Sequence, residues 1–366
     1  MSFQNAFKGK TVLITGHTGF KGSWLAAWLK LLGANVIGIA LDPSTEPSHF
    51  STSKISIDII DYRVDIRSYS EIEPIILKHQ PDFIFHLAAQ ALVGVSYEEP
   101  NQTWTTNVIG TLNILESLRR LKNKCVAVFI TSDKCYDNVE WVWGYRENDR
   151  LGGPDPYSAS KASAEILIRS HYKSFFSQKE NNVLIGSARA GNVIGGGDWS
   201  NGRLIPDCIK AWSKKSNVEL RYPNSTRPWQ HVLEPLSGYL LQASAMANSL
   251  DQKLHGESFN FGPANENNHN VVDLVEKMAS HWDQVKWTIK IDADAKYESS
   301  LLKLNCDKAL HMLHWQPVMS FDETVEMTVN WYQAYYKDSN SAALKTIEQI
   351  HQYSNLALDR NIIWTK

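Results

Sequence analysis

The junction Thr11-Val-Leu-Ile-Thr15, Gly16-His-Thr-Gly-Phe-Lys-Gly22, Ser23-Trp-Leu25 restricts the fold of this chain more than any other stretch. A short apolar run rich in β-branched residues stops at a glycine. A helical pattern with Trp24, Leu25, Trp28, Leu29 and Leu32 follows at once and halts at Gly33. A strand running straight into a helix is the first half of a βαβ unit, because parallel strands need a crossover laid back over the sheet. The motif then repeats. Residues 35–41, 82–86, 125–131 and 183–187 read as further buried strands, and a long helical pattern covers about 103–121. This alternation predicts an α/β chain with a Rossmann-type, doubly wound parallel sheet.

Beyond about residue 190 the texture changes. Gly195-Gly-Gly197 and Asn201-Gly202 interrupt regular structure, and no Pro/Gly/Ser-rich stretch is long enough to serve as a clean linker. The expected organisation is a Rossmann domain over 1–190 with a returning segment at about 228–262. A smaller, intertwined C-terminal substrate lobe would be built from 191–227 and 263–366. Within the returning segment, 231–250 reads as a helix and 258–261 as one more strand joining the main sheet.

Composition narrows the partners. Over 366 residues the formal net charge is −2, so no basic field advertises nucleic acid. No apolar run is long enough to span a membrane, and the N-terminal stretch lacks a secretion-signal core. The four cysteines (Cys125, Cys135, Cys208, Cys306) have neither C-x-x-C nor metal-ligand spacing and read as free thiols of a reducing compartment. The expectation is a soluble cytoplasmic protein with a small-molecule partner and no metal. Thirteen tryptophans suit a packed core, a sugar site or a subunit contact equally well.

Glycines 16, 19 and 22 form G-x-x-G-x-x-G between strand and helix. Such glycines allow a tight turn and close backbone approach, and the helix N-terminus offers unpaired N–H groups to a pyrophosphate. Gly16, Thr18, Gly19, Phe20, Lys21 and Gly22 are therefore candidate dinucleotide-binding residues, although any strand–helix turn can use one glycine for shape alone. Asp42 ends the second strand 20 residues past Gly22. An acid there accepts a ribose 2′-hydroxyl and repels a 2′-phosphate, which favours NAD, while a cap on the Pro43 loop is the structural alternative. Asp65 and Ile66 could face an adenine. Leu87, Ala88, Ala89 and Gln90 are small enough, in part, for a ligand to lie against the backbone; tight packing would account for both stretches too.

Tyr157-Ser-Ala-Ser-Lys161 places a phenol and an amine on one helix face. An ammonium beside a phenol favours the phenolate, making tyrosine a usable base. Ser132 ends the strand preceding them and can bond the same reacting oxygen. In Ile130-Thr-Ser-Asp-Lys-Cys-Tyr136, Asp133 and Lys134 follow it directly. Taken alone they are a hydrated turn; behind a phosphate cradle and beside Y-x-x-x-K they are an acid and a base.

TGHTGFKG, Asp65-Ile66, the LAAQ stretch, Asn107, Ser132 and YSASK together resemble the extended short-chain dehydrogenase/reductases that act on nucleotide sugars. Arg189-Ala-Gly-Asn192, Arg203-Leu-Ile-Pro206 and Arg227-Pro-Trp-Gln-His-Val232 resemble substrate-lobe segments of that family, so the likeness spans nearly the whole chain. The Ser132-Asp133-Lys134 run, GFKGSWL and GGGDW are similar to the 4,6-dehydratase branch that uses CDP-D-glucose. The dTDP-sugar branch carries Thr-Asp-Glu at the first of these places. The resemblance implies that Tyr157, with Lys161 and Ser132, takes the C4 hydroxyl proton while hydride passes from C4 to NAD⁺. Lys134 then removes the C5 proton, Asp133 protonates the departing C6 hydroxyl, and hydride returns to C6. Lysine needs a depressed pKa for this, which burial, Lys161 and the oxidised nicotinamide ring are expected to supply. It further implies that Asn107 lies at the cofactor, that Asn192, Arg203, Leu204, Arg221 and Arg227 hold the substrate, and that the chain forms a homodimer or homotetramer through helices near 101–121 and 157–174. A nucleotide-sugar 4-epimerase, a dTDP- or GDP-sugar dehydratase, and a non-catalytic dinucleotide sensor remain the alternatives.

Overall fold

A computed structural model describes the chain except residues 179–180, 221–222, 250–251, 265–268, 284 and 291–300. Among the described residues a seven-stranded parallel sheet forms from β1 (Thr11–Thr15), β2 (Asn35–Ala40), β3 (Ile60–Arg63), β4 (Phe83–His86), β5 (Cys125–Ile130), β6 (Val183–Ala190) and β7 (Ser258–Phe261). Their order is β7-β6-β5-β4-β1-β2-β3. The chain winds outward from β1 to β3, then returns to place β4 on the other side of β1. That reversal leaves a crevice beyond the carboxyl ends of β1 and β4, where open α/β sheets bind ligands. Gly16 and Leu87 are the residues that follow those two strands.

Both faces of the sheet are covered, as alternation along β1 requires. Val12 and Ile14 join a core with α1 (Phe20–Leu31), while Leu13 faces the opposite core with Ile72, Ile114, Leu115 and Ile168. These last four lie on α2 (Tyr69–His79), α3 (Gly110–Leu118) and α4 (Pro156–His171). The helix expected over 103–121 is not continuous. Pro100–Trp104 enters a π-turn at Thr105–Ile109 before α3, and that wider turn contains Asn107. One residue more per turn re-aims a side chain, which is why such turns gather at functional sites.

Past β6 the chain forms α5 (Leu204–Ser213) and three short two-stranded pairings, joining 193–194 to 230–231, 226–227 to 269–270, and 218–220 to 287–289. It then returns as α6 (Leu233–Asn248), whose Leu233, Leu236, Leu240 and Ala243 pack in the α1 core, and as β7 beside β6. The helix and strand expected at 231–250 and 258–261 are thus present. The chain ends in α7 (Phe321–Lys337) and α8 (Ala342–Asp359). Most tryptophans answer to packing: Trp24, Trp28, Trp212, Trp315, Trp331 and Trp364 are fully buried, and Trp199 and Trp229 nearly so, which makes eight of thirteen. Trp364 stacks on Phe3 at 4.8 Å and on Tyr353 at 5.8 Å, fastening both chain ends to α1.

Buried Glu234 at the start of α6 ties the C-terminal helices down. Its carboxylate accepts the Val318 N–H at 3.0 Å, the Met319 N–H at 2.6 Å and the Tyr353 hydroxyl at 2.9 Å. Glu234→Ala orphans the Val318 and Met319 N–H groups and leaves Tyr353 only Ser237, and is expected to destabilise the protein by about 3–5 kcal/mol in chemical denaturation. A loss below about 1 kcal/mol would show that water or another acceptor replaces the carboxylate.

Candidate active site

The turn after β1 has the build of a phosphate cradle. Gly16 sits at φ +79°, and a Cβ there would lie 2.7 Å from the Ala88 backbone nitrogen. A Cβ on Gly22 would run into the Gly16 carbonyl. The glycine turn, the start of α1 and the Leu87–Gln90 strand end are therefore pressed together at backbone distance. Gly19 is the N-cap of α1 and provides no side-chain cap, so the first-turn N–H groups of Phe20, Lys21 and Gly22 are not claimed by one. Thr18 donates to the Leu41 carbonyl at 2.9 Å, which fixes the turn against the end of β2. These features fit a dinucleotide: close backbone approach, an uncapped helix N-terminus, and an acid beyond β2. That acid, Asp42, has a side chain 88% exposed, with Arg63 Nε 3.6 Å away as a loose partner. Gly22→Ala should force the cradle open and weaken NAD retention on the order of tenfold or more. Nucleotide released from the purified variant measures it, and parental NAD content would refute the cradle.

Other expected cofactor residues divide by what holds them. Asp65 is gripped by Arg67 at 2.6 Å, and that hydrogen bond keeps its carboxyl below the ordinary value. The Ile66 side chain is core, pressed on Gly110, and its carbonyl accepts the Asn113 amide at 2.9 Å; only its backbone edge is left for a ligand. Asn107 accepts the Gln90 N–H at 2.8 Å and donates to the Gln90 carbonyl at 3.0 Å and to Ser160 Oγ at 2.9 Å. Its amide thus joins the Leu87–Gln90 edge to the middle of the Tyr157–Lys161 turn.

Ser132, Asp133, Tyr157 and Lys161 converge. The β5 end stops at Ile130, and Ser132 caps a single helical turn at Asp133–Cys135 by accepting the Lys134 N–H at 3.2 Å. The Ser132 hydroxyl donates to Asp133 Oδ1 at 2.9 Å, and it lies near enough to the Tyr157 phenol to favour its ionised form. Asp155 caps α4 by accepting the Ser158 N–H at 3.0 Å, which sets where Tyr157 begins its turn. Burial raises the Asp133 carboxyl above its usual range against the pull of Lys134, Ser132 and Lys21. Burial likewise pushes Tyr157 up to about 12, opposed by Ser132 and by Arg203. Lys161 falls to about 8 through burial, with Cys135 and Glu165 working against the fall. Arg203, which the sequence assigned to substrate alone, thus also acts as a cation on the phenol. Lys134 is half-buried at the same turn.

Lys21 was expected only in the cradle. Its side chain also interacts electrostatically with Asp133, Arg203 and Lys161, and burial lowers it to about 8. Lys21 and Lys134 thus act on the Asp133 carboxyl, while Arg203 and Lys161 act on Lys21, which gathers positive charge on this side of the acid. Arg203 begins α5 beside Leu204 and is held by Asp198 at 3.0 Å. Asn192 passes its carbonyl to the Gln230 N–H at 3.2 Å, and Arg227 is buried in the short pairing with 269–270. Gly191 packs a would-be Cβ 2.9 Å from Asp133 Oδ2 and 3.6 Å from Pro228, so the Arg189–Asn192 and Arg227–Pro228 segments both border the acid. Arg221 lies outside the described residues. Sequence reasoning passed over Glu165, although its i+4 spacing from Lys161 was visible.

The profile of the GDP-mannose 4,6 dehydratase family matches residues 13–328. The chain belongs to that family. A relative named CDP-glucose 4,6-dehydratase, from Salmonella typhimurium, is 44% identical over 91% of this chain and 93% of its own length. A CDP-paratose 2-epimerase from Salmonella typhi is 24% identical over 87% of this chain and 98% of its own. Among solved structures, a dTDP-glucose 4,6-dehydratase from Bacillus anthracis in complex with NAD superposes with TM-score 0.70 at 21% identity, covering 89% of this chain and 97% of that one. A UDP-glucose 4-epimerase from Stenotrophomonas maltophila with bound NAD gives TM-score 0.77 at 20% identity, over 90% and 99%. Family membership and the doubly wound sheet agree: the glycine cradle lies where members of this fold hold their dinucleotide.

Proposed function

We propose that this protein is an NAD-dependent 4,6-dehydratase that converts CDP-D-glucose to CDP-4-keto-6-deoxy-D-glucose. The observation that carries the reading is Asp133, buried, with burial favouring its protonated form, and bonded to Ser132, whose hydroxyl also favours ionisation of the Tyr157 phenol. A proton donor for elimination is thereby joined to the base for oxidation through one hydroxyl. The 44% identical relative supports the CDP-sugar branch.

Held by the Gly16–Gly22 cradle, NAD would supply the hydride acceptor for C4 and the same hydride for C6, so the cycle would need no outside oxidant. Tyr157 accepts the C4 hydroxyl proton, with Ser132 holding the same oxygen and Lys161 and Arg203 favouring the phenolate. The 4-ketone acidifies C5–H. Lys134 takes that proton, the electron pair forms the C5–C6 double bond, and the C6 hydroxyl leaves as water with the Asp133 proton. A proton then returns to C5. Lys21, Arg203 and Arg227 are placed to balance the pyrophosphate charge.

The purified protein, incubated without added NAD with CDP-, dTDP-, UDP- and GDP-glucose, should lose one water from CDP-glucose fastest by mass spectrometry. A mass-neutral product would indicate an epimerase, and turnover of no sugar nucleotide would favour a dinucleotide sensor.

We also infer a homodimer in which 100–118 and α4 pair across a two-fold axis, in a cytoplasmic enzyme. Trp104, Ile109 and Ile166 are exposed on those elements at 39%, 44% and 58%, and a pairing surface would cover them. Ile166→Glu should yield monomer in light scattering; an unchanged mass would place the contact elsewhere.

A further inference from the structure

Beneath the Ser132–Tyr157–Lys161 cluster lies a buried ion pair that the chemistry above does not use. Glu165 and Arg189 are each 3% exposed and meet at 2.7 Å. Glu165 stands one helical turn after Lys161 on the same face of α4. Its Oε1 accepts the Thr131 hydroxyl at 2.5 Å, and Thr131 is the residue before Ser132. Its Oε2 accepts the Ser187 hydroxyl on β6 at 3.0 Å. Arg189 donates to the Tyr136 hydroxyl at 2.7 Å and to the Glu147 carbonyl at 3.0 Å, and Tyr136 donates onward to Asn260 on β7 at 2.8 Å. One carboxylate thus ties the helix of Tyr157 and Lys161 to the strand end of Ser132, and one guanidinium ties both to the neighbouring strands.

A buried pair is poor evidence for stability, since apolar residues of the same volume often serve as well. Its placement points to another use. We propose that Glu165, with Arg189 as its counter-ion, is a positioning residue for the reaction: it sets the spacing between Ser132 and the Tyr157–Lys161 turn and presents its negative charge to the Lys161 ammonium. This rests on the reading of Tyr157 as the base. Lys161 shares a helix face with Tyr157 by its i+4 spacing, and it interacts with Glu165 on its own helix, Cys135 from the turn after β5, Lys21 from α1 and His86 from β4. Together with Cys135, the Glu165 carboxylate helps Lys161 hold its proton.

The test is the double variant Glu165→Gln, Arg189→Met, which keeps one acceptor oxygen for a hydroxyl, offers an N–H to the other, roughly keeps the volume of the arginine and removes both charges. Lys161 then loses its proton at lower pH. The alkaline limb of the turnover profile should move down by about one unit, while KM and NAD content stay near the parental values. In the holoenzyme, Tyr157 ionisation, read as the phenolate absorbance difference from Tyr157→Phe, should shift to higher pH. A double variant whose alkaline limb and phenolate titration both stay in place would overturn the proposal. If that variant does not fold, Thr131→Val decides: it cuts the tie to the Ser132 strand end without changing charge. A fall in kcat on the order of tenfold with KM unchanged supports the positioning role, and parental kcat refutes it. The phenolate titration needs no turnover. An enzyme inert to every sugar nucleotide would therefore sink the proposed function, while the position of the titration would still separate a charged Glu165 role from none.

Discussion

Tyr157→Phe should lower turnover by about 10²–10⁴-fold while leaving fold and NAD content intact. The ring keeps its buried volume, so packing loses only one hydroxyl, and Ser132 keeps its bond to Asp133. What disappears is the acceptor for the C4 hydroxyl proton, without which no hydride leaves C4. The pH profile of the parent checks the same assignment. Burial lowers Lys161 to about 8, so the ammonium that favours the phenolate is present below that pH and is lost as pH rises through it. Activity should therefore fall on the alkaline side. A Tyr157→Phe enzyme within threefold of the parent would remove tyrosine from the mechanism.

Asp133→Asn and Lys134→Ala should stop the reaction at two different points, each by about 10²–10⁴-fold in overall turnover. The asparagine preserves the acceptor for Ser132 but carries no transferable proton, so oxidation at C4 proceeds and water cannot leave C6. That enzyme should stall with its cofactor reduced, visible as the reduced nicotinamide absorption band, and still exchange the C5 proton with solvent deuterium. Lys134→Ala should also oxidise C4 but lose C5 exchange. Exchange at the parental rate in Lys134→Ala would transfer the base to another group. Full turnover in Asp133→Asn would do the same for the acid. Because both variants oxidise C4 while C5 exchange is kept in one and lost in the other, a general distortion of the turn cannot imitate the pattern.

The parts of the site that were legible in the sequence are those carried by local spacing. The cradle could be read because strand, glycine turn and helix are consecutive. Tyr157 and Lys161 could be paired because helical geometry alone puts i and i+4 on one face. Ser132–Asp133–Lys134 stood out as polar residues at the end of an apolar run. The continuous helix expected over 103–121 failed at Asn107, since a π-turn costs a local sequence pattern nothing and is held here by distant bonds to Gln90 and Ser160.

Side-chain direction over long separations was not legible. Lys21 belongs to the cradle by position, yet its amine acts on Asp133, more than a hundred residues away. Arg203 acts on the Tyr157 phenol, and Glu165 finds Arg189 across two elements. The sequence by itself determined the strand–helix alternation, hence the doubly wound sheet, and the chemical types available at each strand end, because periodicity and glycine are properties of neighbouring residues. Only the tertiary structure decided which charges face one another and how burial tunes them, because desolvation and Coulomb energy depend on distances that chain order does not contain.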